Sequence, residues 1–146
     1  RITTIAQDVS GEASRNCPWV DEYHVGSLET LPDSGPFDLI SLTHVIEHLP
    51  DPMATLLYAA KRLAPGGRLF VTGPYRPAGD ARAPLARWET YSYLHVPAHL
   101  TYLSERWFRR LAGESGLELE SWDASHEGGD AFEAILRSKL PTDYTK

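Results

Sequence analysis

Residues 37–72 constrain the fold of this chain more than any other part of it. Residues 37–46 form a nearly continuous apolar run, which is typical of a parallel β-strand covered on both faces. Asp51 and Pro52 then favour a helix start, because Asp can cap a helix and Pro fits its first position. Residues 65–67, Pro-Gly-Gly, predict the stop of that helix before a second buried strand at residues 68–72. This order predicts a right-handed βαβ unit and an α/β fold.

The predicted helix is amphipathic, since apolar residues recur on one face of it. They are Met53, Leu56, Leu57, Ala60 and Leu63. Ser104 favours a second helix with an apolar face that ends at Gly116. Trp107, Phe108, Leu111 and Ala112 make up that face.

Shorter elements complete the predicted order. Residues 2–7 and 22–25 are typical of short strands, with at best a short helix between them. Residues 117–122 and 131–137 predict a closing hairpin joined through residues 126–130. Residues 74–101 show no clear period and predict a lid-like loop, since such long loops in compact domains are often functional.

Composition narrows the class of protein. With 146 residues, 42% of them hydrophobic and 23% charged, the chain is expected to form a single domain over residues 1–146. A net charge of -6 argues against a nucleic-acid surface and favours a small-molecule partner. Cys17, the one cysteine, excludes an intrachain disulfide and fits a reducing cytoplasm. No apolar run approaches the ~20 residues of a membrane span, so no membrane partner is expected.

Several motifs carry a family resemblance. Phe37-Asp38, Glu47-His48-Leu49, Asp51-Pro52 and the segment 62–67 resemble the middle of a class I S-adenosylmethionine-dependent methyltransferase of the small-molecule branch. Residues 5–10 are similar to the end of the family's second strand, residues 26–32 to the segment flanking the adenine, and residues 96–104 to the segment before its last helix. The resemblance implies a Rossmann-like, doubly wound, mostly parallel sheet with a C-terminal antiparallel hairpin.

One part of the family pattern has no counterpart in this sequence. Nothing before Asp8 resembles the glycine-rich turn after the family's first strand, and the chain opens with Arg1, so an N-terminally incomplete domain is expected. In the family that strand lies between the second and fourth strands. Its loss would leave unpaired strand edges, so we expect either a longer protein or self-association with another copy.

The resemblance also assigns cofactor residues. It implies that Asp8 accepts hydrogen bonds from both ribose hydroxyls of S-adenosylmethionine, and that Ser27 and Leu28 lie against the adenine. Thr43 and His44 are expected beside the methionine moiety. The alternatives are a turn-capping role for Asp8 and an ordinary strand-end turn at residues 26–28.

Methyl transfer from a sulfonium needs alignment of donor and acceptor, to which a base can be added. His99 is the first candidate base, because it resembles a family position near the substrate; His95 and His44 follow. The alternative is that these histidines are packed, hydrogen-bonded residues. No clustered His, Cys and Asp spacing indicates a metal site.

Candidate substrate residues lie at the strand exit and in the lid-like loop. They are Glu47, His48, Trp88, Tyr91 and Tyr93, with Arg76, Arg82 and Arg87 as possible partners of an anionic acceptor. Each of these residues has a structural alternative. Glu47 and His48 could instead hold the strand-to-helix turn together through hydrogen bonds. The aromatic residues could pack under the loop, and the arginines could belong to a solvated surface stretch.

Three functions follow from these residues. The first is methyl transfer from S-adenosylmethionine to an O, N or C atom of a small molecule. The second is a non-catalytic, degenerate or truncated methyltransferase-like interaction domain, which the missing glycine-rich turn favours. A nicotinamide-dependent oxidoreductase is weaker, because it also needs a glycine-rich turn.

Overall fold

The computed structural model describes residues 2–32, 35–75, 95, 97–124 and 131–141. The chain divides into two compact units, Arg1–Gly35 and Pro36–Lys146, which are described separately. The single domain expected from composition therefore stays a prediction.

The first unit is a pair of parallel strands, β1 (Ile5–Asp8) and β2 (Glu22–Val25). A 3₁₀ turn, Gly11–Asn16, connects them, and the Ser10 hydroxyl caps this turn by accepting a hydrogen bond from the Glu12 backbone N–H at 3.2 Å. Both short strands and the short helix between them were predicted and are present, but the first strand, predicted at residues 2–7, lies at Ile5–Asp8.

The described residues of the second unit form a four-stranded sheet and two α-helices. In chain order these are β3 (Phe37–Thr43), α1 (Pro52–Lys61), β4 (Leu63–Pro74), α2 (Glu105–Ser115), β5 (Leu117–Asp123) and β6 (Ala131–Ser138). The strand order is β3-β4-β6-β5; β3 and β4 are parallel, and β6 is antiparallel to both β4 and β5. The α/β class and the closing antiparallel hairpin are confirmed.

Helix α1 begins as predicted but ends earlier. The Asp51 carboxylate accepts a hydrogen bond from the Ala54 backbone N–H at 2.9 Å, and Pro52 is the first helical residue. The Arg62 backbone N–H donates to the carbonyl oxygens of Ala59 and Ala60, and these bonds end the helix. Leu63 is the first residue of β4. Residues 65–67 lie inside β4 and do not stop the helix; the predicted apolar face was therefore one residue too long.

Strand β3 differs from its prediction in length and in burial. It ends at Thr43, and Ile46 lies in a 3₁₀ turn, Ile46–His48. Leu42 is its one buried residue, whereas Leu39 is 59% exposed. The expected coverage on both faces was wrong, since Leu39, Ser41 and Thr43 form an exposed face and Ile40 and Leu42 lie on the more buried one.

The core of the second unit is aromatic at its centre. The Phe108 ring lies 5.2 Å from the Phe132 ring and 5.5 Å from the Trp122 ring, and Trp122 stacks on Phe132 at 4.9 Å. Ser104 caps α2 and Gly116 ends it with φ 71°, both as predicted. These two ends fix the register that directs Phe108 and Leu111 into the core. None of the helices in the described ranges is both long and apolar enough for a membrane crossing.

The backbone at Gly67 lies so close to backbone atoms of Phe37 and Ala64 that a side chain has no room there. A Cβ there would lie 2.8 Å from the Phe37 carbonyl oxygen and 2.9 Å from the Ala64 carbonyl oxygen. We expect Gly67→Ala to lower the free energy of unfolding by about 1–3 kcal/mol in urea denaturation, as overpacking does. Gly113→Ala in α2 is the matched control, because a Cβ there meets no atom within 4 Å and favours the helix. Equal effects of the two substitutions would contradict this account.

Candidate functional site

The chain leaves β3 through a residue with an uncommon backbone conformation. His44 has φ 52°, the one positive φ among the described non-glycine residues. Its backbone N–H donates to the Thr72 carbonyl at 3.2 Å, which ties it to the neighbouring strand β4. Such outliers cost energy and cluster at functional sites, and this one supports a site at the end of β3.

The 3₁₀ turn Ile46–His48 holds the segment 98–101 in place. The Glu47 backbone carbonyl accepts hydrogen bonds from the backbone N–H groups of Leu100 at 2.7 Å and Thr101 at 3.4 Å. His48 Nδ1 lies 2.9 Å from the Ala98 carbonyl oxygen. These bonds place His99 beside Glu47, although more than fifty residues of sequence separate them.

Glu47 is a buried carboxylate surrounded by imidazoles. Its side chain is 1% exposed, and its Oε1 lies 3.3 Å from His44 Nδ1 and 4.0 Å from His99 Nε2. Its Oε2 has no hydrogen-bond partner among the described residues. A Cβ added at Gly73 would lie 3.4 Å from that oxygen, so β4 passes close to the carboxylate.

His99 is the most enclosed of the surrounding histidines, with a side chain 7% exposed. Its ring stacks on His95 at 4.9 Å and meets the His48 ring edge-on at 4.8 Å. Burial lowers the pKa of His99; the Glu47 carboxylate opposes this, and His48, His95 and His44 add to the lowering. Burial thus favours the neutral imidazole, the form that can accept a proton or bind a metal ion.

We call Glu47 and the four histidines around it, His44, His48, His95 and His99, the histidine cluster. It brings together all three candidate bases and two of the candidate substrate residues. The hydrogen bonds of the turn also support the alternative in which Glu47 and His48 hold the chain in place. Trp88, Tyr91 and Tyr93, the three arginines and most of the lid-like loop lie outside the described residues.

The remaining cofactor candidates belong to the first unit. Asp8 ends β1, and its Oδ1 accepts a hydrogen bond from the Ser10 backbone N–H at 2.6 Å. Its backbone carbonyl accepts from the Gly26 N–H at 2.9 Å, so the turn after β2 lies beside it. Ser27 and Leu28 follow in that turn, at the start of a 3₁₀ helix, Leu28–Thr30. The carboxyl ends of two parallel strands thus carry Asp8, Ser27 and Leu28 together, the edge at which α/β sheets bind ligands.

Sequence reasoning missed one grouping in the second unit. Glu47, His48 and His99 offer three potential metal-ligand atoms that all lie within 4.8 Å of one another. The expectation of no metal site came from spacing along the chain, and spacing could not reveal a contact made by the folding of residues 98–101 onto the turn. A Glu-His pair directly after a strand, followed later in the chain by a histidine, is the sequence signal that could have indicated this grouping.

The sequence of this chain is similar to those of known methyltransferases. A family model described as "Methyltransferase domain" matches residues 5–121. A ubiquinone biosynthesis O-methyltransferase of Idiomarina loihiensis is 41% identical over 51 residues, which is 34% of this chain and 21% of that protein. The matched stretch thus spans about a fifth of the length of such relatives.

Solved structures share the fold. The magnesium protoporphyrin IX methyltransferase of Synechocystis PCC 6803, solved with bound SAH, has a TM-score of 0.66 at 15% identity, over 93% of this chain and 64% of that one. The [4+2]-cyclase SpnF has a TM-score of 0.68 at 16% identity, over 96% of this chain and 67% of that one. At such identities the likeness concerns the fold, which different chemistries share.

Proposed function

Because this chain belongs to the methyltransferase domain family, we propose that it transfers a methyl group from S-adenosylmethionine to an oxygen, nitrogen or carbon atom of a small molecule. The family match over residues 5–121 is the observation that carries the proposal. That match and the fold likeness confirm the resemblance and the Rossmann-like fold class inferred from the sequence. Oxygen is the favoured acceptor atom, because the curated relatives are named O-methyltransferases.

The cofactor is proposed to use the residues that the resemblance assigned. Asp8 binds the ribose hydroxyls, Ser27 and Leu28 lie along the adenine, and Thr43 and His44 face the methionine moiety. Asp8 and the turn after β2 are suited to this role, because both lie at the carboxyl ends of the parallel strands β1 and β2. When bound, S-adenosylmethionine supplies a methyl group on a positively charged sulfur, which needs no further activation as a leaving group.

Asp8→Asn tests the cofactor assignment. The amide oxygen can still accept from the Ser10 N–H, so the turn is kept while the charge is lost. A charged hydrogen bond contributes about 1.5–3 kcal/mol, so we expect S-adenosylmethionine and S-adenosylhomocysteine to bind about 10-fold to 100-fold more weakly in calorimetry. Asp38→Asn, an exposed position in β3, is the control. Binding by Asp8→Asn within twofold of the unsubstituted protein would exclude the ribose role.

The histidine cluster is proposed to activate the acceptor. His99 would take the proton from the acceptor hydroxyl, and the imidazolium so formed would lie 4.0 Å from the Glu47 carboxylate. His95 and His44 are the next candidates, since they lie against His99 and Glu47 respectively. Glu47, His48, Trp88, Tyr91 and Tyr93 are proposed to line the acceptor pocket.

The alternative function is a non-catalytic methyltransferase-like interaction domain. Its support is that Asp8, Glu47 and His48 already make the local hydrogen bonds of structural residues. Calorimetry decides, because such a domain would bind neither S-adenosylmethionine nor S-adenosylhomocysteine.

Two further proposals concern the surroundings of the protein. Self-association is proposed at β3, because this strand ends the strand order of the described sheet and an edge strand can pair with another copy. Light scattering at several protein concentrations tests it, and a monomer at every concentration would exclude it.

A cytoplasmic location is proposed from the single cysteine, and fractionation of cells would test it.

A further inference from the structure

We propose that Glu47, His48 and His99 form a binding site for a divalent transition-metal ion such as Zn²⁺, and that loading of this site switches off acceptor activation by His99. The second part rests on the function proposed above, whereas the first part rests on the geometry alone. One carboxylate and two imidazoles, contributed by the turn after β3 and by the segment before α2, make the donor set.

The distances suit closure around an ion. The three ligand atoms lie within 4.8 Å of one another, and Glu47 Oε1 and His99 Nε2 are 4.0 Å apart. Ligand atoms at about 2.0–2.1 Å from a tetrahedral Zn²⁺ are about 3.4 Å from one another. Rotation of the Glu47 carboxylate and of the His99 ring about their side-chain bonds supplies the difference, while His48 keeps its bond to the Ala98 carbonyl.

The buried charge of Glu47 favours a cation. Buried carboxylates are ordinarily paired with a cationic group or coordinated to a metal. Among the described residues, the ion-pair partners of Glu47 are His44 and His99, with no Lys or Arg. A divalent ion at Oε1 would therefore supply a positive charge that no described Lys or Arg supplies to Glu47.

The hydrogen bond of His48 matches one that metal ligands commonly make. Metal-binding histidines commonly donate their second ring N–H to a backbone carbonyl, which fixes the tautomer and the ring orientation. His48 Nδ1 lies 2.9 Å from the Ala98 carbonyl oxygen; because a carbonyl only accepts, Nδ1 carries the proton and Nε2 the electron pair. Two histidines and one carboxylate leave a fourth position on zinc open, as in catalytic-type sites.

Metal binding and the base role compete for the same electron pair. Once His99 Nε2 binds the ion, it can no longer accept the proton of the acceptor hydroxyl. The site therefore couples metal availability to methyl transfer without a change of fold, and the ion acts as an inhibitor.

The first experiment measures Zn²⁺ binding directly. The purified protein is stripped with EDTA, dialysed and titrated with Zn²⁺ against a chromophoric chelator. We expect one ion per chain, and at least about 10-fold weaker binding by His48→Ala and by Glu47→Gln, as even loss of a residue supporting a ligand costs that much. His24→Ala is the matched control, a histidine of β2 beside Glu22. Circular dichroism verifies the fold of each variant. No binding by the unsubstituted protein, or equal loss in His24→Ala, would overturn the site.

The second experiment separates the two proposals. Methyl transfer is followed in EDTA and at increasing Zn²⁺, and we expect inhibition in the unsubstituted protein that needs about 10-fold more Zn²⁺ in His48→Ala. Zinc binding by a protein that binds neither S-adenosylmethionine nor S-adenosylhomocysteine would leave the metal site standing and reject the proposed function. Activity that is lost in EDTA and restored by Zn²⁺ would overturn the inhibitory role.

Discussion

Phe108→Ala is expected to lower the free energy of unfolding by about 3–5 kcal/mol, the range for removing a large aromatic side chain from a packed core. Phe108 is 0% exposed and contacts the rings of Trp122 and Phe132, which belong to different strands of the closing hairpin. Its loss removes ring contacts between α2 and both strands. Because domains of this size are stable by about 5–15 kcal/mol, urea denaturation should show a large shift of the midpoint.

Two control substitutions test whether the loss of stability comes from the buried aromatic contact of Phe108. Phe108→Leu keeps an apolar side chain in the same space and should cost less than Phe108→Ala. Arg106→Ala changes an exposed residue of the same helix and should stay within about 0.5 kcal/mol of the unsubstituted protein. A loss below about 1 kcal/mol for Phe108→Ala would mean that this aromatic cluster is not the core of the unit.

The sequence predicted the parts of the fold that depend on local chemistry. Asp51, Ser104 and Gly116 determine helix ends through their own backbone and capping bonds, so the two helices begin where they were expected. The burial of β3 could not be predicted in this way. An apolar run indicates a strand, but its exposure depends on the neighbours it has in the sheet, and β3 stands at the end of the strand order.

The same distinction applies to the candidate site. The sequence indicated His99 and the Glu47–His48 pair separately, by residue type and by family resemblance. Their contact arises from hydrogen bonds between the Glu47 backbone carbonyl and the N–H groups of Leu100 and Thr101, which no side-chain pattern encodes. For that reason the metal-ligand grouping was missed, although each of its members had been singled out.

His99→Asn is expected to lower kcat for methyl transfer by about 10²-fold to 10⁴-fold, the usual contribution of a positioned general base. The assay is run in EDTA so that no metal ion occupies the imidazole. Burial lowers the pKa of His99, which favours the proton-accepting form in the unsubstituted protein. The affinity for S-adenosylmethionine, measured by calorimetry, should change little, because His99 is not among the residues proposed to bind the cofactor.

This split between kcat and cofactor affinity distinguishes catalysis from packing. His99 contacts His48, His95 and Tyr102, so a purely structural role would loosen the segment 97–101 and lower thermal stability together with activity. His24→Asn controls for the loss of a histidine elsewhere. If His99→Asn keeps kcat within about threefold while folding normally, the base role is wrong, and His95→Asn and His44→Asn become the variants to measure under the same conditions.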